Sequence, residues 1–109
     1  MRKIRVLYKE PGKPARGVIA ENTPDALRAL VGGYLERVRT KNGIAIAYNE
    51  DAWALKLPDN CELAGVQFMG PIFIAGYRGE RFTDLPEEMV EKLRARYPKL
   101  WEEERDGDG

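Results

Sequence analysis

The sequence predicts an α+β domain, with two helices packed against a mainly antiparallel sheet of five or six short strands. Two segments show apolar residues at helical spacing, and several short segments alternate apolar with polar residues between turn-forming residues. A length of 109 residues suffices for one hydrophobic core. We therefore expect residues 1–101 to form a single domain.

The first two strands are predicted near the N-terminus. Lys3–Lys9 places Ile4, Val6 and Tyr8 on alternate positions, which is typical of an amphipathic strand. Proline and glycine residues at 11–14 indicate a turn, and Gly17–Glu21 is the predicted partner strand.

A helix is predicted to follow, beginning after Thr23 and ending at Gly32-Gly33. The Thr23 hydroxyl can accept a hydrogen bond from the first helical turn, and Pro24 suits the first helical position because it has no N–H to leave unpaired. Gly32-Gly33 provides a residue that tolerates positive φ just after the helix.

A β-hairpin is predicted over residues 34–48, with its turn at Lys41-Asn42-Gly43. A two-residue loop would pair Arg39 with Ile46, whereas a three-residue loop with Gly43 as the bulge pairs Val38 with Ile46. The apolar pattern favours the three-residue loop, because a one-residue slip would exchange the two faces. One face then holds Tyr34, Val38, Ile44, Ile46 and Tyr48, and the other holds Leu35, Arg37, Arg39, Ala45, Ala47 and Asn49.

The segment from Asp51 to Asn60 gives a mixed pattern. Trp53, Leu55 and Leu57 alternate as in a strand, and Leu57-Pro58-Asp59-Asn60 is typical of a turn. We interpret Tyr34 and Trp53 first as core or edge aromatic residues and second as platforms for stacking.

The last third of the chain predicts two strands and the second helix. The strands are Val66–Met69 and Pro71–Tyr77, and the continuous apolar run in the second indicates a central strand buried on both faces. Asp84 and Glu87 have the spacing of a capping box, and the helix is expected to run to Tyr97, before Pro98. Met89, Val90, Leu93 and Tyr97 form its predicted buried stripe.

Charge is unevenly distributed although the formal net charge is zero. Residues 102–109 contain five acidic residues and one basic residue, which gives −4 and leaves +4 on residues 1–101. The segment has no apolar side chain, and we expect it to be a disordered acidic tail, either simply solvated or screening a basic face.

Composition excludes several kinds of chemistry. The chain has no histidine, no serine and one cysteine, so the common general base, a Ser–His nucleophile, a structural zinc site and an internal disulfide are all unavailable. There is no glycine-rich phosphate loop. We expect no cofactor, no metal and no catalytic residue. The single cysteine, the absence of a long apolar run and a strand-like N-terminus predict a cytoplasmic protein that does not enter a membrane.

The best candidate for a binding surface is the face that contains Arg37 and Arg39. Arginine forks bind phosphate in a bidentate manner, and we expect Arg5 and Asn49 to join this surface. The small residues Ala45 and Ala47 would leave room for a flat ligand or for the backbone of a partner. The alternative is the ordinary water-facing side of an antiparallel sheet.

Two carboxylates offer a weaker possibility. Glu36 and Glu50 are expected near Asn49 across the hairpin, where they could act as acid and base or hold a hard cation. Polar residues that close a turn at the strand ends account for them equally well.

Four motifs stand out along the chain, namely Leu30–Glu36, Ala47–Glu50, Leu57–Asn60 and Gly70–Ile74. Together they resemble a bacterial and phage family, domain of unknown function 3846. The resemblance covers about residues 3–95 and implies a bacterial or viral cytoplasmic accessory protein, often encoded by a phage or mobile element. It carries over no catalytic residue. The chain departs from the family pattern at Asp51-Ala52-Trp53 and in its acidic tail.

The leading functional hypothesis is a non-enzymatic binding domain that engages a host protein or a small anionic ligand. Nucleic-acid binding through the +4 body is a second hypothesis, less favoured because no basic run with interleaved aromatic residues occurs. A metal-assisted phosphodiesterase using Glu36 and Glu50 is the third. The sequence leaves open whether the protein is a homo-oligomer.

Overall fold

The structure, a computed structural model, describes residues 2–103 and confirms the predicted α+β class. Of the expected acidic tail, residues 104–109 lie outside this described part. Within it, the strands are β1 (Lys3–Lys9), β2 (Arg16–Glu21), β3 (Leu35–Arg39), β4 (Ile44–Asn49), β5 (Asp59–Leu63), β6 (Val66–Met69), β7 (Ile72–Arg78) and β8 (Arg81–Thr83). The helices are α1 (Pro24–Val31) and α2 (Glu87–Arg96), and a 3₁₀ helix follows at Pro98–Trp101.

The main sheet has the strand order β2-β1-β7-β4-β3, with β8 also paired to β7, and its pairings are antiparallel. β5 and β6 form a separate two-stranded sheet. β7 lies at the centre, and its residues from Ile72 to Tyr77 are all buried. This confirms the central strand that the apolar run predicts.

Each face of the main sheet carries its own hydrophobic core. Helix α1 covers one face, and the 3₁₀ helix, α2 and the small sheet cover the other. The α1 core contains Ile4, Val6, Leu27, Val31, Ala47, Phe73 and Ala75. The α2 core includes Leu7, Ile46, Phe68, Ile74, Met89 and Leu100. Adjacent residues such as Phe73 and Ile74 point to opposite cores, as the pleat of a strand requires.

Helix α1 begins and ends as the sequence predicts. The Thr23 hydroxyl oxygen accepts a hydrogen bond of 3.2 Å from the Ala26 N–H. Gly32 has φ of 79° and donates its N–H to the Arg28 carbonyl at 2.9 Å. A left-handed residue at this position ends the helix and turns the chain toward β3.

The β3–β4 hairpin has the predicted three-residue loop. Val38 is opposite Ile46, Glu36 is opposite Tyr48, and Gly43 has φ of 76°. Ile44 and Ile46 are buried in the α2 core, and Arg37 and Arg39 belong to the other face. Tyr34 differs from expectation, because it precedes β3 and is 63% exposed.

The segment between β4 and β6 differs most from the prediction. Residues 51–56 form successive turns, with Leu55 N–H donating to the Asp51 carbonyl at 2.9 Å, and Trp53 is 84% exposed. The alternation of Trp53 and Leu55 is therefore not that of a strand. The strand β5 begins at Asp59, where the sequence predicts a turn, and the short strand β8 was not predicted.

The start of α2 also differs. The predicted capping box is wrong, because Pro86 occupies the N-cap position and Asp84 does not bond to the helix. The Asp84 carboxylate instead accepts the Arg5 N–H at 2.7 Å and so ties the chain to β1. The predicted helix end before Pro98 is confirmed, as is the packing of Met89 and Leu93 in the core.

Within residues 2–103, no helix is both long enough and apolar enough to cross a bilayer.

Candidate functional site

Arg37 and Arg39 lie together on the α1 face of the sheet. They are opposite Ala47 and Ala45 on β4, and the next strand in the sheet is β7. Because alanine side chains are short, both arginines reach across β4 to Tyr77 on β7. Each guanidinium carbon lies 5.2 Å from the centre of the Tyr77 ring, a favourable cation–π distance. The room that the sequence predicts over the alanines is thus taken by the arginines themselves.

One carboxylate bridges the two guanidinium groups. Glu80, in the turn between β7 and β8, places Oε2 3.4 Å from Arg37 Nη2 and Oε1 3.5 Å from Arg39 Nη1. Glu36 contributes a further, longer contact of 3.8 Å to Arg37. The Glu80 side chain is 71% exposed, so solvent screens both ion pairs. We call Arg37, Arg39, Tyr77 and Glu80 the arginine cluster.

Arg37 also has one side-chain nitrogen atom that lacks a hydrogen-bond partner among residues 2–103. Its side chain is only 34% exposed, and its Nε atom is buried without a hydrogen-bond partner among residues 2–103. A buried donor without an acceptor costs free energy, and native proteins contain few of them. The cluster therefore holds an N–H group that an additional acceptor would stabilise.

A groove of about 850 Å³ adjoins the cluster. Its lining comes from the start of α1, from residues 34–35 and from Glu80–Thr83. Within this lining the Arg28 guanidinium lies 5.0 Å from the centre of the exposed Tyr34 ring. The lining holds Arg28 and Arg81 together with Glu50 and Glu80, so the groove carries charges of both signs.

The structure does not bring Arg5 to the arginine cluster. Arg5 alternates on β1 with Ile4 and Val6, which belong to the α1 core, and so it points to the opposite face. Its side chain lies 3.7 Å from Glu87, and its backbone bonds to Asp84 and Leu85. The structure therefore places Arg5 in the contact between β1 and the start of α2.

Asn49 shares a face with the arginines but is buried beneath α1. Its side-chain amide donates to the Val31 carbonyl at 3.1 Å, and its Oδ1 accepts the Asp51 N–H at 2.7 Å. These bonds pair a carbonyl at the end of α1 and fix the turn after β4. Both polar atoms of the Asn49 side chain are thus hydrogen-bonded to the backbone of the fold.

The carboxylates Glu36 and Glu50 both approach Tyr48. Burial, with added repulsion from Glu36 and Glu50, raises the pKa of the Tyr48 hydroxyl above its usual 10.0. Among residues 2–103, no three Asp, Glu or Cys side chains come together as a metal site. The two glutamates therefore flank an aromatic ring in the structure.

Sequence reasoning missed Tyr77 and Glu80. A signal for Glu80 was present, because Arg78-Gly79-Glu80-Arg81 has a glycine-containing two-residue centre that is typical of a hairpin turn. Nothing in the local sequence indicates that Tyr77 lies below the arginines, since this contact depends on β7 lying next to β4.

A protein-family model described as Domain of unknown function (DUF3846) matches residues 4–98. No curated protein and no solved structure matches the chain.

Proposed function

The chain belongs to the family described as Domain of unknown function (DUF3846), and from its surface geometry we propose that it is a non-enzymatic binding domain for an anionic group. The arginine cluster is the proposed site. The observation that carries the proposal is the arrangement of Arg37 and Arg39, two cations stacked on one tyrosine ring and bridged by the exposed carboxylate of Glu80.

An incoming anion would replace Glu80. The Arg37 edge formed by Nε and Nη2 can hold two oxygens side by side, whereas Glu80 contacts Nη2 and leaves Nε without a partner. A phosphate or carboxylate at this edge would satisfy both groups and keep the contact with Arg39. Glu80 can move aside at small cost because its side chain is largely in solvent.

The groove offers room for the remainder of the ligand. Its volume lies within the usual range for small-molecule sites, and Glu80 lines it, so displacement of Glu80 would join the groove to the arginines. Tyr34 provides an exposed ring in the lining of the groove. A flat molecule with an anionic group, such as a nucleotide, fits this combination of ring and charge.

The same site could accept an acidic side chain of a host protein, which presents the same chemistry. We propose that the protein acts in the bacterial cytoplasm as an accessory protein of a phage or mobile element. The family resemblance supports this setting, and the single cysteine suits a reducing compartment.

The test compares anion binding by three variants, using thermal shift and calorimetry with inorganic phosphate and a nucleotide panel. Arg37→Ala/Arg39→Ala should weaken binding about ten-fold or more, since it removes the charge-assisted hydrogen bonds. Glu80→Gln should strengthen binding about two- to five-fold, because it removes the competing charge while preserving size. Arg2→Ala/Lys3→Ala removes two cations from exposed positions elsewhere and should bind as the wild type does.

The same variants test a protein partner through pull-down from bacterial lysate. A specific partner should be retained by the Arg2→Ala/Lys3→Ala control and lost by the arginine double variant. If neither the wild type nor Glu80→Gln binds any probe or partner, or if the arginine double variant binds normally while folded, the proposal is wrong.

A further inference from the structure

A second cavity lies on the opposite face of the sheet from the arginine cluster. It has a volume of about 400 Å³ and is enclosed by the end of β1, the strand β5 and the 3₁₀ helix. Lys9, Asn60, Glu62, Tyr97 and Leu100 are among its lining residues. This volume lies within the range of small-molecule sites.

Lys9 is the unusual residue of this cavity. It is only 5% exposed, yet within residues 2–103 no carboxylate lies within ion-pair distance of its ammonium group. Its Nζ donates one hydrogen bond of 3.2 Å to the Glu10 carbonyl, and the Glu10 carboxylate instead pairs with Arg16. The Lys9 ammonium group thus has one neutral acceptor and no counter-charge among residues 2–103, and an anion in the adjoining cavity would supply that charge.

The rest of the lining also favours an anion. Lys9, Arg96 and Lys99 carry positive charge, and Glu62 is the acidic residue in the lining. Tyr97 also lines the cavity, and its hydroxyl oxygen accepts hydrogen bonds from Arg96 Nε and the Ala64 N–H, each at 3.3 Å. The wall also includes Asn60, whose buried Oδ1 has no hydrogen-bond partner among residues 2–103; as an acceptor, this oxygen would pair with a donor and not with the carboxylate.

We propose that this cavity binds a small organic carboxylate, with the carboxylate paired to Lys9 and the apolar part against Pro98 and Leu100. The single Lys9 ammonium group matches a single negative charge, and the apolar side chains of Pro98 and Leu100 in the lining match a hydrocarbon group. This site is independent of the arginine cluster, because the two lie on opposite faces of the sheet and share no residue.

The test uses phenylacetate and its neutral analogue phenylacetamide as probes, with binding followed by calorimetry and by NMR of the backbone amides. Phenylacetate should bind saturably, and phenylacetamide should bind about ten-fold or more weakly, since it cannot pair with an ammonium. The shifted amides should be those of Lys9, Cys61, Arg96, Tyr97, Lys99 and Leu100.

Lys9→Met is the decisive variant, because methionine keeps most of the apolar stem and removes the ammonium group with its charge and its hydrogen bond to Glu10. It should weaken phenylacetate binding about ten-fold or more, whereas Lys13→Met, at an exposed position, should leave binding unchanged. The proposal is overturned if phenylacetate does not saturate below about 10 mM, if the amide binds equally well, or if Lys9→Met binds normally.

Should Lys9→Met fail to fold, the wild-type NMR map decides the question. Shifts confined to the cavity residues, together with discrimination against the amide, support the proposal. Shifts near Arg37 and Tyr77 instead overturn it and assign the carboxylate to the arginine cluster, so the two proposals fail separately.

Discussion

Crowding at a single residue, Gly76, determines where the main sheet branches. Gly76 is opposite Ile44 on β4 and opposite Thr83 on β8, so strands flank it on both sides. The Asp84 carbonyl and the Thr83 hydroxyl occupy the space that a Cβ atom would need. The close approach of β8 to β7 therefore requires glycine at this position.

Gly76→Ala should destabilise the protein by about 1–3 kcal/mol, because the added methyl group would force the backbone of Asp84 away from β7. Urea denaturation would measure the change. Gly17→Ala in β2 is the matched control, since a Cβ there meets no atom within 4 Å. The control should be as stable as the wild type or slightly more stable. Equal stability of the two variants would contradict this account of Gly76.

Residue patterns predicted part of the arginine cluster and missed the rest. Arg37 and Arg39 share a face because their positions differ by two in one strand, which is local information. Tyr77 and Glu80 join them only because β7 pairs with β4 and then turns back as β8. Long-range pairing of this kind leaves no periodic signal in the sequence around either residue.

At the scale of elements, some strands are determined by residues nearby in the sequence and others by contacts with distant residues. The β3–β4 hairpin was predictable because its turn residues and apolar alternation agree on one register. The strand β5 was not predictable, because it begins with Asp59 and Asn60, which are polar residues typical of turns. Asn60 is held in the strand by long-range bonds, its amide donating to the Lys9 carbonyl at 2.9 Å and the Gly70 carbonyl at 2.8 Å.

Substitutions of Gly43 test whether the turn residues determine the conformation of the β3–β4 hairpin. Gly43→Ala should cost about 1–2 kcal/mol, because φ of 76° is unfavourable for alanine and no neighbouring atom adds a clash. Gly43→Asn should cost less, since asparagine tolerates the left-handed region. Thermal or urea denaturation would rank the three proteins. Alanine equal to glycine would show that the turn does not hold this conformation in solution.

At the scale of the whole molecule, tyrosines on different surfaces respond differently to pH. Burial, followed by repulsion from Glu10, raises the pKa of Tyr8, and burial likewise raises the pKa of Tyr48. The Tyr97 pKa is lowered, chiefly by its hydrogen bond with Arg96. The folded state thus retains the protons of Tyr8 and Tyr48 at a pH where the unfolded chain has lost them, and the reverse holds for Tyr97.

Stability should therefore fall as pH rises above about 10 because of Tyr8 and Tyr48. Tyr48→Phe should make this decline shallower, since it removes one of the two groups. Tyr97→Phe should make it steeper, because a lowered folded-state pKa adds stability as the pH rises toward 10. Urea unfolding between about pH 8 and 11 would give the slopes. Slopes that change in the same direction for both variants would contradict the assignment.

The central position of β7 has a consequence for biosynthesis. The strand begins at Ile72, and among residues 2–103 it is the strand that joins the β1–β2 hairpin to the β3–β4 hairpin. A nascent chain that ends before this residue has two hairpins with unpaired inner edges and no continuous sheet. Exposed edges of this kind pair with other chains. The main sheet therefore cannot become continuous until β7 has been synthesised, and until then the inner edges of the two hairpins can pair with other chains.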